Sequence, residues 1–383
     1  MNDTAWDRGF PVKYLLVDED DDGEPELWGR CAGVEGLFAD PVPPPREVLT
    51  LRGCAPEGPL RAAIDWPGEA TGLLGDLCVE IRDDPRPTRR WELADVVVIT
   101  HHPCQADPAL VDVVVGAGVR QDGFSRERLP TSPRFELSVA TAGDLETVGH
   151  CLRVDGLFAP RAAPEAIPLE LVGCEPAERL RAVLRRPRKW EGGWAGLWAL
   201  DRDGRVMAHH TVGLGIGGAR PSTLGGTLID ITLTDGGKDR PPLIARPIWD
   251  VWYRGIPATP NQWAPYSAEG RRQWSHLAIH RDMGARRPDR SGGVYHLDGR
   301  FATDVPGLHC AMGEALLGPG GYYGWGWSAF TDCLCGGFGV VAPFTLIWHD
   351  ADVARRAPAE GLPSYFGEVV GHLEEHGVTV VFR

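Results

Sequence analysis

The stretch that decides the fold runs Gly320-Gly321-Tyr322-Tyr323-Gly324-Trp325-Gly326-Trp327-Ser328-Ala329-Phe330-Thr331-Asp332-Cys333-Leu334. A glycine-aromatic turn opens it, and Phe330 and Leu334 then stand four apart, the spacing of one helix face. Those two face a core, which turns Asp332 toward solvent. The sequence predicts a helix over Tyr322 to Leu334. Working outward, Val294 to Leu297 is a short apolar run closed by an Asp298-Gly299 turn. Leu308, Met312 and Leu316 recur every four residues and mark another helix. Phe344-Thr345-Leu346-Ile347-Trp348 is a strand with no alternation, the pattern of a strand covered on both faces. Tyr365, Val369, Val370 and Leu373 mark a helix stopped at Gly377, and Val378 to Phe382 reads as a last buried strand. The order strand, helix, helix, strand, helix, strand implies a small parallel sheet covered by helices and built by right-handed crossovers.

That order and its motifs resemble the barstar family, inhibitors of the ribonuclease barnase, over about 294–383. The motifs are the Asp298-Gly299 turn, Leu308-His309, Tyr322-Tyr323-Gly324, Asp332-Cys333-Leu334 and the run from Pro343 to Trp348. The resemblance implies a plug for an enzyme rather than an enzyme. It implies that Asp332 enters a ribonuclease active site, where a carboxylate on a helix stands in for the scissile phosphate and accepts bidentate bonds from arginine. Tyr322 and Gly324 also match contact positions of the family. Three places depart from the pattern: Ser328 replaces a second aspartate, His372 replaces a glutamate on the last helix, and Trp325, Gly326 and Trp327 replace a polar and aliphatic stretch. The tryptophans are typical interface anchors. The expected partner-binding set is Tyr322, Gly324, Trp325, Trp327, Ser328, Thr331, Asp332 and His372, with a specificity that need not be that for barnase.

Charge fits this expectation. The chain carries a net charge of −14, and residues 292–383 hold ten acidic against four basic side chains, a net of −6. A general nucleic-acid binder needs a basic footprint, so direct nucleic-acid binding is not expected. An acidic surface is steered onto a basic partner, here a ribonuclease or related nuclease toxin. The start of the chain lacks the pattern of a secretory signal, and no apolar run is long enough for a membrane span. Nine cysteines, an odd count, do not form a disulfide framework. A cytoplasmic immunity-type protein is the expectation.

The front of the chain repeats itself. Cys31-Ala32-Gly33-Val34-Glu35-Gly36-Leu37-Phe38-Ala39 matches Cys151-Leu152-Arg153-Val154-Asp155-Gly156-Leu157-Phe158-Ala159. At the same offset, Leu51, Gly53, Cys54, Pro56, Leu60, Arg61 and Ala62 match Leu171, Gly173, Cys174, Pro176, Leu180, Arg181 and Ala182. This reads as two tandem β or α+β copies, 12–125 and 133–237, each with one short helix after the matched Gly-Cys. Residues 238–290 form a connector rich in Trp and Pro, ending in an Arg-rich hinge, and 292–383 is the last domain. With the barstar-like fold repurposed, the chain would instead be an interaction module whose duplicated front binds a partner.

Other motifs read as structural. Gly213 to Gly218 fits a dinucleotide-binding string, but no helix is expected after it, so a glycine-rich hairpin or bulge is the better reading. Asp18, Asp20, Asp22 and Gly23 start like a calcium loop that lacks its closing glutamate. Cys31, Cys54, Cys151 and Cys174 lack recurring histidine partners and suit a core better than zinc. His101-His102 and His209-His210 point to opposite faces of a strand, and Trp190, Trp194 and Trp198 fit packing. No catalytic residue, cofactor or metal is expected.

Overall fold

The computed structural model describes residues 9–18, 25–65, 73–81, 89–121, 134–140, 145–161, 167–186, 193–234, 236–237, 240–280, 288–357 and 362–383. Asp20, Asp22, Gly23, Trp190 and most of the Arg-rich hinge lie outside them. The chain forms two compact units, one of Val42–Pro164 and one of Met1–Pro41 with Glu165–Arg383.

The first of these is a closed antiparallel barrel. It contains β3 (Arg46–Pro56), α1 (Gly58–Asp65), β4 (Leu73–Ile81), β5 (Arg89–Pro103), β6 (Val111–Gln121), β7 (Phe135–Ala140), β8 (Leu145–Cys151) and β9 (Arg153–Asp155). The pairing runs β6-β5-β4-β7-β8-β3-β9, and β6 also pairs with β3, which closes a ring of six strands. Closure leaves those six strands without an open edge. Alternate residues such as Leu49, Leu51, Leu77, Val79, Val113, Val115 and Leu137 fill the interior, as period-two strands require.

The other unit begins with β1 (Tyr14–Asp18) and β2 (Glu26–Glu35). It continues with β10 (Leu169–Pro176), α2 (Glu178–Arg185), β11 (Trp194–Leu200), β12 (Val206–Gly213), β13 (Ile216–Pro221) and β14 (Ile229–Leu233). Its sheet order is β12-β11-β1-β2-β10-β14-β13. Only Leu214 and Gly215 separate β12 from β13, so a strand rather than a helix follows the glycine string. The same device shapes β3 and β10. Each has a bulge, between Leu51 and Cys54 and between Leu171 and Cys174. Gly53 and Gly173 sit there at φ +57° and +58°, a conformation open to glycine. The amide of Gly53 donates to Asp112 Oδ1 at 2.8 Å, and that of Gly173 to Asp230 Oδ1 at 2.9 Å. The bond from Gly53 is the main reason the Asp112 carboxyl is held below the usual range. Cys31 faces Cys174 across β2 and β10, and all four matched cysteines are buried.

The connector is built into this second unit. It holds α3 (Arg246–Tyr253) and α4 (Ala268–His280), and Trp249, Trp252, Trp263 and Trp274 are all buried. Arg271 of α4, itself buried, donates to Asp304 Oδ2 at 2.7 Å, Thr303 Oγ1 at 2.8 Å and the Ala264 carbonyl at 2.6 Å. These acceptors meet the two terminal nitrogens of the buried guanidinium and offset its desolvation, while its Nε has no hydrogen-bond partner among the described residues.

The last domain has β15 (Val294–Asp298), α5 (Val305–Leu317), α6 (Trp327–Cys335), β16 (Thr345–His349), α7 (Asp352–Arg355), α8 (Leu362–Glu375) and β17 (Thr379–Phe382). The strands are parallel in the order β15-β16-β17. Asp304 caps α5 by accepting from the Gly307 amide at 2.7 Å. Three expectations change. Helices cover one face of the sheet, not both: Leu297, Leu346 and Trp348 are buried, whereas His296 is exposed, Ile347 half-buried, and Val294 and Val381 exposed. β17 is an edge strand and largely exposed rather than buried, because it has a neighbour on one side alone. The helix expected from Tyr322 starts at Trp327, because Gly324 is at φ +84° and Gly326 is extended, which ends any helical run before them.

Candidate partner-binding face

Two glycines aim the loop before α6. Gly324 lies against the first turns of the helix, where a Cβ would stand 2.6 Å from the Phe330 amide nitrogen. Its positive φ and this contact both exclude a side chain. Tyr323 is buried, and its hydroxyl donates to the Val340 carbonyl at 3.0 Å. Tyr322 is 5% exposed, against Trp325 and Phe338 at ring distances of 5.8 and 6.1 Å. Burial pushes the Tyr322 hydroxyl up, so it stays protonated.

Helix α6 buries Phe330, Cys333 and Leu334 and exposes Ser328 and Asp332. Asp332 thus stands at the surface of an element fixed from beneath. Thr331 is half-buried. Its hydroxyl donates to the Trp327 carbonyl at 3.0 Å and sits 3.0 Å from His372 Nε2 on α8. Trp327 packs between His372, 4.6 Å away, and Tyr365, 5.9 Å away. Tyr365 is in turn held by buried His309, with 2.7 Å between Oη and Nε2. Burial lowers the His309 pKa to about 4, and burial also lowers that of His372, so both rings are neutral at pH 7.

The expected residues therefore fall into three groups. Trp325, Ser328 and Asp332 are open to solvent. Trp327, Thr331 and His372 form one half-buried cluster that joins α6 to α8. Tyr322 and Gly324 are buried and shape the loop. Trp325, at 41% exposed, also stacks on His276 of α4 with 4.6 Å between rings and 31° between planes. Outside the expected set lie His276, exposed Phe338 beside Tyr322, and His376, whose ring is 4.3 Å from that of His372. The spacing of His372 and His376, four apart on a helix, was the available signal for the last.

Among the described residues, no group of three or more His, Cys, Asp or Glu is gathered to hold a metal ion, and no helix is long and apolar enough to cross a membrane. No curated protein and no solved structure matches the chain. Residues 293–382 match the family Barstar (barnase inhibitor), and nothing before them is matched, so the chain ends in a barstar domain.

Proposed function

We propose that the protein is a ribonuclease inhibitor of the immunity type, which occludes the active site of a basic nuclease with α6. The observation that carries this is Asp332, exposed on a helix whose opposite face is buried and whose approach loop is fixed by Gly324. A carboxylate held in place this way loses little freedom on binding and can accept charge-assisted bonds from arginine. Trp325 and Ser328, also open to solvent, set specificity. Ser328 and neutral His372 supply no charge of their own, so the mode depends on Asp332 and the aromatic rim more than on a ring of carboxylates. The test is RNA cleavage by small secreted ribonucleases, with and without the full chain. Inhibition that Asp332→Ala removes supports the reading. Inhibition of no ribonuclease, or equal inhibition by the variant, overturns it.

We also infer that 12–125 and 133–237 are two copies that have exchanged their first strands. In support, β1 and β2 of the first segment complete the sheet of β10 to β14, while β7, β8 and β9 of the second complete the barrel of β3 to β6. The partners correspond one for one. β1 lies between β2 and β11 as β7 lies between β8 and β4. The two Gly-Asp bulges correspond as well. In this reading the front is a duplicated scaffold that carries α4 and, through it, the inhibitory domain.

A further inference from the structure

Helix α8 ends in His372-Leu373-Glu374-Glu375, and His376 follows in the turn, its amide still donating to the His372 carbonyl at 3.2 Å. Two histidines four apart lie on one helix face, the spacing with which a helix presents two imidazoles to one ion. Here the hydrogen bonds fix which nitrogen of each ring carries a lone pair. The Nδ1 of His376 is 2.9 Å from the His372 carbonyl, which accepts only, so Nδ1 is the protonated nitrogen and Nε2 is free to coordinate. Thr331 has one hydroxyl hydrogen, and it goes to the Trp327 carbonyl. Its contact with His372 Nε2 then requires Nε2–H to donate, which leaves the lone pair on Nδ1. That Nδ1 faces Glu375 Oε2 at 3.9 Å. Two electron-pair donors thus oppose each other with no hydrogen between them, and the second imidazole is 4.3 Å away, centre to centre.

We propose that His372 Nδ1 and His376 Nε2 bind one divalent transition-metal ion, with water in the remaining positions. Imidazole nitrogens favour Ni²⁺, Cu²⁺ and Zn²⁺ over Mg²⁺ or Ca²⁺. The bonds to Thr331 and to the helix carbonyl are the outer contacts that orient metal-binding histidines. Thr331 is therefore a positioning residue: it reaches the ion only through His372. Bound metal would add two positive charges beside α6, so inhibition of a basic enzyme would fall as the site fills. That consequence rests on the proposed function, whereas binding by the free chain does not.

The test is calorimetric titration of the full chain with NiCl2 and with ZnCl2 at pH 8, where imidazoles are neutral. The expected result is one saturable site whose affinity drops at least about tenfold in His376→Ala, as loss of a ligand or its support does. A double variant, His296→Ala with His349→Ala, should keep it. Those two rings lie on the sheet and are paired with each other by a ring-to-ring hydrogen bond at 2.9 Å. Thr331→Val should weaken binding about tenfold and shift His372 away from the Nε2–H tautomer in nitrogen NMR spectra. Absence of a saturable site overturns the proposal, as does unchanged affinity in His376→Ala or loss of the site in the His296/His349 variant. An unchanged His372 tautomer in Thr331→Val overturns the positioning role. Because the titration uses no nuclease, failure here leaves the inhibitor reading to its own assay.

Discussion

Thr331 and His372 tie two helices together through one hydroxyl, which donates to the Trp327 carbonyl at 3.0 Å and stands 3.0 Å from His372 Nε2. A helix tethered in this way presents Asp332 from a fixed base, which is what an inhibitor needs to match a rigid active site.

Asp332→Ala should cost about 2–5 kcal/mol of binding to the target nuclease, the usual effect of truncating one partner of a desolvated charge pair. Asp332→Asn should fall in between. Thermal unfolding of both variants should stay within about 0.5 kcal/mol of the parent, since the side chain is exposed. Inhibition constants and melting curves read the two effects separately.

Gly324→Ala tests the aim of the helix. A Cβ there meets the Phe330 amide at 2.6 Å, at φ +84°. The expected loss is about 1–3 kcal/mol of stability in urea unfolding, from backbone strain. Any inhibition that remains should weaken as well, because the loop and α6 must part.

Acid should destabilise the last domain through His309. Burial lowers its pKa to about 4, whereas the unfolded chain titrates near the ordinary value of about 6.5. The folded state binds fewer protons than the unfolded one in that window. Stability is thus fully present above about pH 6.5 and is lost progressively as pH falls toward about 4. His309→Gln keeps a polar partner for Tyr365 but does not titrate. Urea midpoints measured at pH 7 and pH 5 should differ less in this variant than in the parent.

A protease site inserted between β6 and β7 distinguishes exchanged copies from separate ones. Each of the two seven-stranded sheets takes strands from both sides of that cut. The two fragments should co-elute after cleavage under native conditions and separate only in denaturant. Fragments that part in native buffer would refute the exchange.

Much of the last domain was legible in the chain. The fourfold spacing of Leu308, Met312 and Leu316 placed α5, and the Phe330 and Leu334 pair set the buried face of α6. The open sheet face was not legible, because Phe344 to Trp348 contains one more apolar residue, Ile347, than its burial calls for. The start of α6 was misplaced because aromatic residues at 322, 323 and 325 mimic a helical stripe, while the glycines among them decide the backbone. The offset that links Cys31 to Cys151 is a one-dimensional likeness and does not say which copy pairs with which. Cys31 in fact faces Cys174. The stacking of Trp325 on His276 joins residues far apart in sequence, and no local pattern carries it.

The strand arrangement has a consequence for synthesis. β2 ends at Glu35, and its partner β10 begins at Leu169. At about 5–20 residues per second, the ribosome delivers that partner roughly 7–30 seconds later. During this wait the closed barrel of Val42–Pro164 can complete itself, while the earliest strands stand exposed with unpaired edges. The β1–β2 hairpin, which waits for β10, is thus a segment that a chaperone has reason to hold.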